Sequence, residues 1–190
     1  MLLGTLKYIA SDLNSFLKRK YDSHEERVVL GNIVDQNNSI PETNQNKIIL
    51  TLLSLEHETN IKKAINYIAQ GPGYVKTTPP LAFNLDIMFS GLFSQYEESL
   101  KFLSDTIQFF QAKPFFNHEN SPGLGDKISQ FSLEIIKLSS SETYNLWASL
   151  GTKYVPSVPF KLRLIFYQSE EVEQLISSIN SVSGEALPQL

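Results

Sequence analysis

Along residues 2–20 the apolar side chains Leu2, Leu6, Ile9, Leu13 and Phe16 recur at steps of four, three, four and three, and Lys18, Arg19 and Lys20 close the stretch. That spacing lines one side of a helix, and cations complement the partial negative charge at a helix carboxyl end. An amphipathic first helix is predicted. Residues 27–34, Arg-Val-Val-Leu-Gly-Asn-Ile-Val, are β-branched and run into a polar stretch from Asp35 to Asn46, which predicts a strand and then a loop. The run from Ile48 to Leu55 is apolar on both parities, the mark of a strand covered on both faces. From 81 to 90, Leu81, Phe83, Leu85, Ile87 and Phe89 alternate with Ala82, Asn84, Asp86, Met88 and Ser90, a period of two that predicts a third strand.

Ser94 and Glu97 have the spacing of a capping box, and Tyr96, Leu100, Leu103, Ile107 and Phe110 then follow a helical stripe until Pro114. Phe131, Leu133 and Ile135 mark a strand. Ser139 and Glu142 form a second capping box for a short helix ending at Gly151, and Phe160, Leu162, Leu164 and Phe166 mark the last strand. The predicted order is α-β-β-β-α-β-α-β. Three consecutive strands call for hairpin-like antiparallel pairing, whereas β-α-β stretches permit crossovers. The fold class is therefore α+β, a mixed β-sheet flanked mainly on one face by helices. Residues 1–168 are expected to form a single domain, with the acidic, Ser-rich stretch 169–190 a tail or appended segment.

Composition narrows the chemistry. The 190 residues carry 16 Lys plus Arg against 20 Asp plus Glu, a net charge of -4, and only three of the cations are Arg. Nothing here advertises nucleic acid, so protein partners are expected. No cysteine is present, which excludes disulfides, thiolate metal sites and thiol nucleophiles and fits a cytoplasmic setting. The amino terminus is not patterned as a secretory signal, and no window approaches the apolar length of a membrane span. His24, His57 and His118 are each followed by Glu, but the positions four residues on are Val28, Ile61 and Pro122, so the zinc-protease spacing fails each time. No metal or cofactor is expected. Gly71-Pro72-Gly73 and Gly123-Leu124-Gly125 lack the third glycine of a phosphate loop and read as turns. Asp86 stands without a second acid on its strand face, as an acid-base pair would need, and no Gly-x-Ser-x-Gly elbow exists. An enzyme is not expected.

Four stretches then stand out in order: Pro79-Pro80-Leu81-Ala82-Phe83-Asn84-Leu85, Phe93-Ser94-Gln95-Tyr96-Glu97-Glu98-Ser99-Leu100-Lys101-Phe102-Leu103, Ile107 to Pro114, and Leu146-Trp147-Ala148-Ser149-Leu150-Gly151-Thr152-Lys153-Tyr154-Val155-Pro156-Ser157. From about Leu2 to Tyr167 the chain resembles the cap, or tail-terminator, subunits of phage-tail-like contractile injection systems. The resemblance implies a tail-terminator fold and a homo-oligomeric ring, a hexamer, that closes the inner tube and sheath. It implies an inner tube protein and a sheath protein as partners, and assembly in the cytoplasm into the contractile particle.

Two residue groups are singled out. Lys62, Lys63 and Lys76 lie in the long connection between the second and third strands of an otherwise acidic chain and are candidates for tube or sheath docking. Trp147, Gly151, Tyr154 and Pro156 are candidate structural anchors for the short helix and the entry to the last strand. Two other readings fit the same residues. One is a small-ligand-binding or catalytic α+β domain with a pocket at Phe109-Phe110 and Phe115-Phe116, and the other is a monomeric adaptor of a tail-like assembly.

Overall fold

The apolar stripe of the first segment folds as α1 (Leu2–Tyr21), which buries Leu6, Ile9, Ala10, Leu13 and Leu17 and ends on its three cations. The computed structural model describes residues 2–58, 66–70, 73–77, 81–166 and 175–177. Asn14 in α1 fastens the next element: its Nδ2 donates to the Val28 carbonyl at 2.8 Å, and its Oδ1 accepts from the Arg27 and Val28 amides at 2.8 and 2.9 Å. A buried side-chain amide satisfied on both ends fixes position as well as contributing energy. It sets the three-residue strand β1 (Val28–Leu30) against the helix.

Strands β2 (Lys47–His57), β3 (Asn66–Gln70), β4 (Gly73–Thr77) and β5 (Leu81–Leu92) follow, then α2 (Tyr96–Ala112), β6 (Phe115–Asn117), β7 (Ile128–Ile135), α3 (Ser140–Ser149), β8 (Ser157–Phe166) and β9 (Leu175–Ser177). The main sheet runs β1-β2-β5-β8-β7-β6, and a smaller one runs β3-β4-β9. The expected α+β class with a mixed sheet is borne out. Where the mixture lies is not as expected: β1 pairs β2 in parallel, whereas β5, β8 and β7 pair antiparallel in turn. Residues 31–46 are long enough to return the chain as a crossover, which a parallel pair requires. Asn44 at 5% exposure pins that return by donating to the Asn32 carbonyl at 2.7 Å. Between β2 and β5 the described residues form the β3–β4 hairpin.

One face of the main sheet carries Leu50, Leu85, Ile87, Phe89, Phe160 and Leu162 against α1 and α2, and this is the larger core. On the opposite face Ile33, Ile49, Met88 and Leu92 pack with Trp147 of α3. In β2 the two-sided covering holds for Ile48 to Thr51 but not beyond, since Leu52 and Leu55 are 39% and 45% exposed. The cause is the brevity of β1, which pairs only Ile48 to Leu50.

The stripe on α2 is also turned from its expected setting. Ser99, Phe102, Leu103, Thr106, Phe109 and Phe110 face inward, while Tyr96 and Leu100 are exposed. The neighbouring stripe wins because it holds the larger aromatic area, with Phe102 stacked on Phe93 at 4.8 Å between ring centroids. The capping box expected at Ser94 is absent: Gln95 is the N-cap and makes no side-chain bond. Ser94 instead donates from its amide and its hydroxyl to Asn46 Oδ1 at 3.0 and 3.2 Å. The second box is present, with the Glu142 amide donating to Ser139 Oγ and the Ser139 amide to Glu142 Oε2.

Candidate interaction surface

Gly91, near the end of β5, lets three elements meet. Its amide donates to the Pro156 carbonyl at 2.9 Å and its carbonyl accepts from Ser99 Oγ at 3.2 Å. A Cβ built there would lie 3.1 Å from Ser99 Cβ and 3.3 Å from the Ser99 carbonyl, so any other residue would have to push α2 back by a few tenths of an ångström. The crossover, the first turn of α2 and the segment entering β8 converge around it on a cleft of about 640 Å³, walled by Ile40, Asn46, Phe93, Tyr96, Tyr154 and Pro156. Ile40, Tyr96 and Tyr154 are 47%, 65% and 61% exposed. Amphipathic phenol rings beside apolar floor residues suit docking of another polypeptide.

Of the residues predicted from sequence, Trp147, Gly151, Tyr154 and Pro156 are brought together. Trp147 is 5% exposed, and the Tyr154 ring meets it edge to face at 5.3 Å. Gly151 adopts φ +67°, the left-handed turn that ends α3. Pro156 supplies the carbonyl bonded to Gly91. Lys62 and Lys63 lie outside the described residues, as does the stretch 169–190 apart from β9. Lys76 is in β4, in register with Tyr67.

The remaining candidate chemistry resolves into structure. His118 Nε2 lies 2.8 Å from the Ile128 carbonyl, and the His57 ring packs on Phe83. Among the described residues no group of His, Asp and Glu is arranged to hold a metal ion. Asp86 accepts from Ser54 Oγ at 3.1 Å and faces Lys161 at 3.7 Å on the sheet face opposite α1 and α2. The Phe-rich region proposed as a pocket is core: Phe110 packs against Phe89, Phe116 and Phe160, all of them buried, while Phe115 is 40% exposed.

Two side chains are electrostatically tuned. Burial, and then the Asp105 carboxylate that accepts its hydroxyl proton, push the Tyr21 phenol above its ordinary value. Lys20 Nζ donates to the same carboxylate at 2.6 Å, so Asp105 ties the end of α1 to α2. Glu142 is held below the usual carboxylate range by its hydrogen bonds from the Ser139 side chain and backbone. Sequence reasoning missed Ile40 and Tyr96. The one signal for Ile40 was a lone large apolar residue inside the polar run 35–46, and Tyr96 was assigned to the buried stripe.

Comparison with known proteins gives three findings. A family model described as the Pvc16 N-terminal domain matches residues 7–179. The sheath/tube terminator of the extracellular contractile injection system PVC, in its extended state, is similar in structure with a TM-score of 0.62 at 12% identity, over 100% of this chain and 64% of that one. The tube-terminating cap of the anti-feeding prophage is similar with a TM-score of 0.56 at 12% identity, over 93% of this chain and 61% of that one. The chain thus spans less than two thirds of the length of either protein, and at this identity the likeness is one of fold. No curated sequence matches it.

Proposed function

The chain belongs to the Pvc16 N-terminal domain family, and from that premise we propose that it is a structural cap, or tail terminator, of a contractile injection system. One observation carries the reading: the family match and the fold shared with two terminators cover the same residues. In this reading residues 1–168 are the tail-terminator-like domain, and 169–190 are an appended segment. Copies close into a ring, a hexamer, that ends the inner tube and sheath, assembles in the cytoplasm and stays in the particle. The role is mechanical, with neither catalysis nor a cofactor.

A terminator must bind the last ring of a polymer while offering no surface for the next, so its self-contact is a heterologous interface that closes. Lys62, Lys63 and Lys76 are the proposed docking contacts. Repeated around one rim, modest attractions to an acidic surface on tube or sheath sum by multivalency. Trp147, Gly151, Tyr154 and Pro156 hold the cleft wall in place.

The test mixes the purified chain with its tube protein and images the product. Closed rings seated at one end of tubes of bounded length are expected, and the triple Lys→Glu variant should stay folded and lose this capping. A strict monomer at micromolar concentration with tube protein present, or tubes whose length ignores the protein, overturns the proposal.

A further inference from the structure

The main sheet has two edges that the fold leaves half paired, at opposite ends. On one side β1 pairs Ile48 to Leu50 of β2, and among the described residues no strand flanks β2 from Leu52 to His57. On the other side β6 pairs Gln130 to Ser132 of β7, and among the described residues no strand lies outside Glu134 and Ile135. Rows across the sheet expose the pattern. The row Glu56, Asn84, Arg163, Ser132, Phe115 ends in β6 and lacks β1. The row Leu30, Leu50, Phe89, Val158 begins in β1 and lacks β7. Between them the row Leu52, Ile87, Phe160, Ile135 ends on both sides in an exposed apolar residue, 39% at Leu52 and 47% at Ile135.

Unpaired strand edges with exposed apolar side chains template pairing unless they are blunted or covered. Following the pairing across the sheet, β6 runs in the same direction as β2, and β1 runs opposite to β7. We infer that these two edges are the two halves of the contact between neighbouring copies of this chain. β6 of one copy lies parallel to the open Leu52–His57 stretch of the next, and β1 of that next copy falls in the rows beyond the end of β7. The steps interlock, because the rows that carry β6 are the rows that lack β1. Leu52, Leu55 and Ile135 then lie on one face of the joined sheets, the face that carries α1 and α2, with Phe115 and Glu56 together on the other. This inference rests on the ring proposed above and names its interface.

Because the chain has no cysteine, introduced thiols report the contact directly. Glu56 and Phe115 share a row, and adjacent strands lie about 4.8 Å apart, inside the roughly 4.4–6.8 Å Cα range of a disulfide. Under mild oxidation Glu56→Cys with Phe115→Cys in one chain should give a ladder of covalent oligomers ending at the ring. The two single variants mixed should give only mixed dimers. Leu52→Lys with Ile135→Lys should lower the ring fraction at least tenfold while circular dichroism and Trp147 emission stay unchanged. Disulfide dimers from each single variant alone show same-edge pairing and overturn the inference. Rings that form without the crosslink, or that survive the two lysines, overturn it and leave the capping function standing. A monomer under all conditions, with tube protein present, overturns both.

Discussion

Trp147→Ala tests whether α3 is held to the sheet by one side chain. Trp147 is the only fully buried residue of that helix, packed at 5% exposure against Ile33, Ile49, Met88 and Leu92. A buried Trp removes on the order of 200 Å² from water, which at about 25 cal/mol/Å² gives roughly 5 kcal/mol for the whole side chain. Alanine keeps part of that and the site collapses in part, so the expected loss is about 3 to 5 kcal/mol. Some of it will surface as local detachment, because Leu146 and Leu150 pack only partly against the same cluster. The assay is urea unfolding followed by circular dichroism, together with amide exchange across Ser140–Ser149. Trp147 is the sole tryptophan, so wild-type emission reports α3 docking without labels. Blue-shifted emission that reddens on unfolding is expected. Emission of a water-exposed indole in the folded isolated chain, or a loss below about 1 kcal/mol, refutes the anchoring argument, since surface changes fall in that range.

Gly91→Ala places a methyl 3.1 to 3.3 Å from the Ser99 Cβ and backbone, and helix backbone cannot swing away as a side-chain tip can. Overpacking of about 1–3 kcal/mol, less the roughly 0.4–1 kcal/mol gained by restricting the unfolded chain, leaves a net loss centred on about 1.3 kcal/mol. A urea midpoint equal to wild type or higher sinks this. Tyr21 titrates above its unfolded value, so its contribution is complete below about pH 10 and is lost as pH rises toward the folded value. The urea midpoint should therefore fall as pH rises from about 10, less steeply in Tyr21→Phe, and equal slopes in the two proteins would exclude the assignment.

Periodicity reported element type better than buried face, and neighbours poorly: on α2 it assigned the exposed Tyr96 and Leu100 to the buried stripe. The alternation from Leu81 to Phe89 and from Phe160 to Phe166 marked β5 and β8 as strands, with Leu85, Ile87, Phe89, Phe160 and Leu162 on the parity that forms the larger core, but it did not show that Ala82, Met88 and Ser90 on the other parity of β5 are buried too. The Ser139–Glu142 box and the Gly151 turn were legible for the same kind of reason, since each is a local bond or a local φ. The parallel setting of β1 was not, because nothing within Val28–Leu30 records which partner it meets. That information sits in Asn14 and Asn44, two buried amides far from the strand in sequence, and single polar residues leave no periodic trace. The capping box at Ser94 failed likewise: Asn46, 48 residues away, takes the serine for a tertiary bond.

The parallel pair also decides where the two interaction surfaces lie. A hairpin from β1 to β2 would have needed only a few residues and left no crossover. Because β2 runs with β1, the chain must travel back through 31–46, and Asn44 and Ile33 hold that return against the sheet. The return carries Ile40 to the cleft with Tyr96 and Tyr154, and it delivers Asn46 to the start of α2. The same requirement keeps β1 short, since the chain leaves the sheet at Gly31, whose amide makes the last bond, to the Leu50 carbonyl. Beyond that bond, and the Thr51 hydroxyl that donates to the Gly31 carbonyl at 2.8 Å, β2 has no strand on that side among the described residues, and Leu52 and Leu55 are left at the edge. One topological choice, fixed by two buried asparagines, thus supplies both the cleft and the open edge that the proposed ring contact requires.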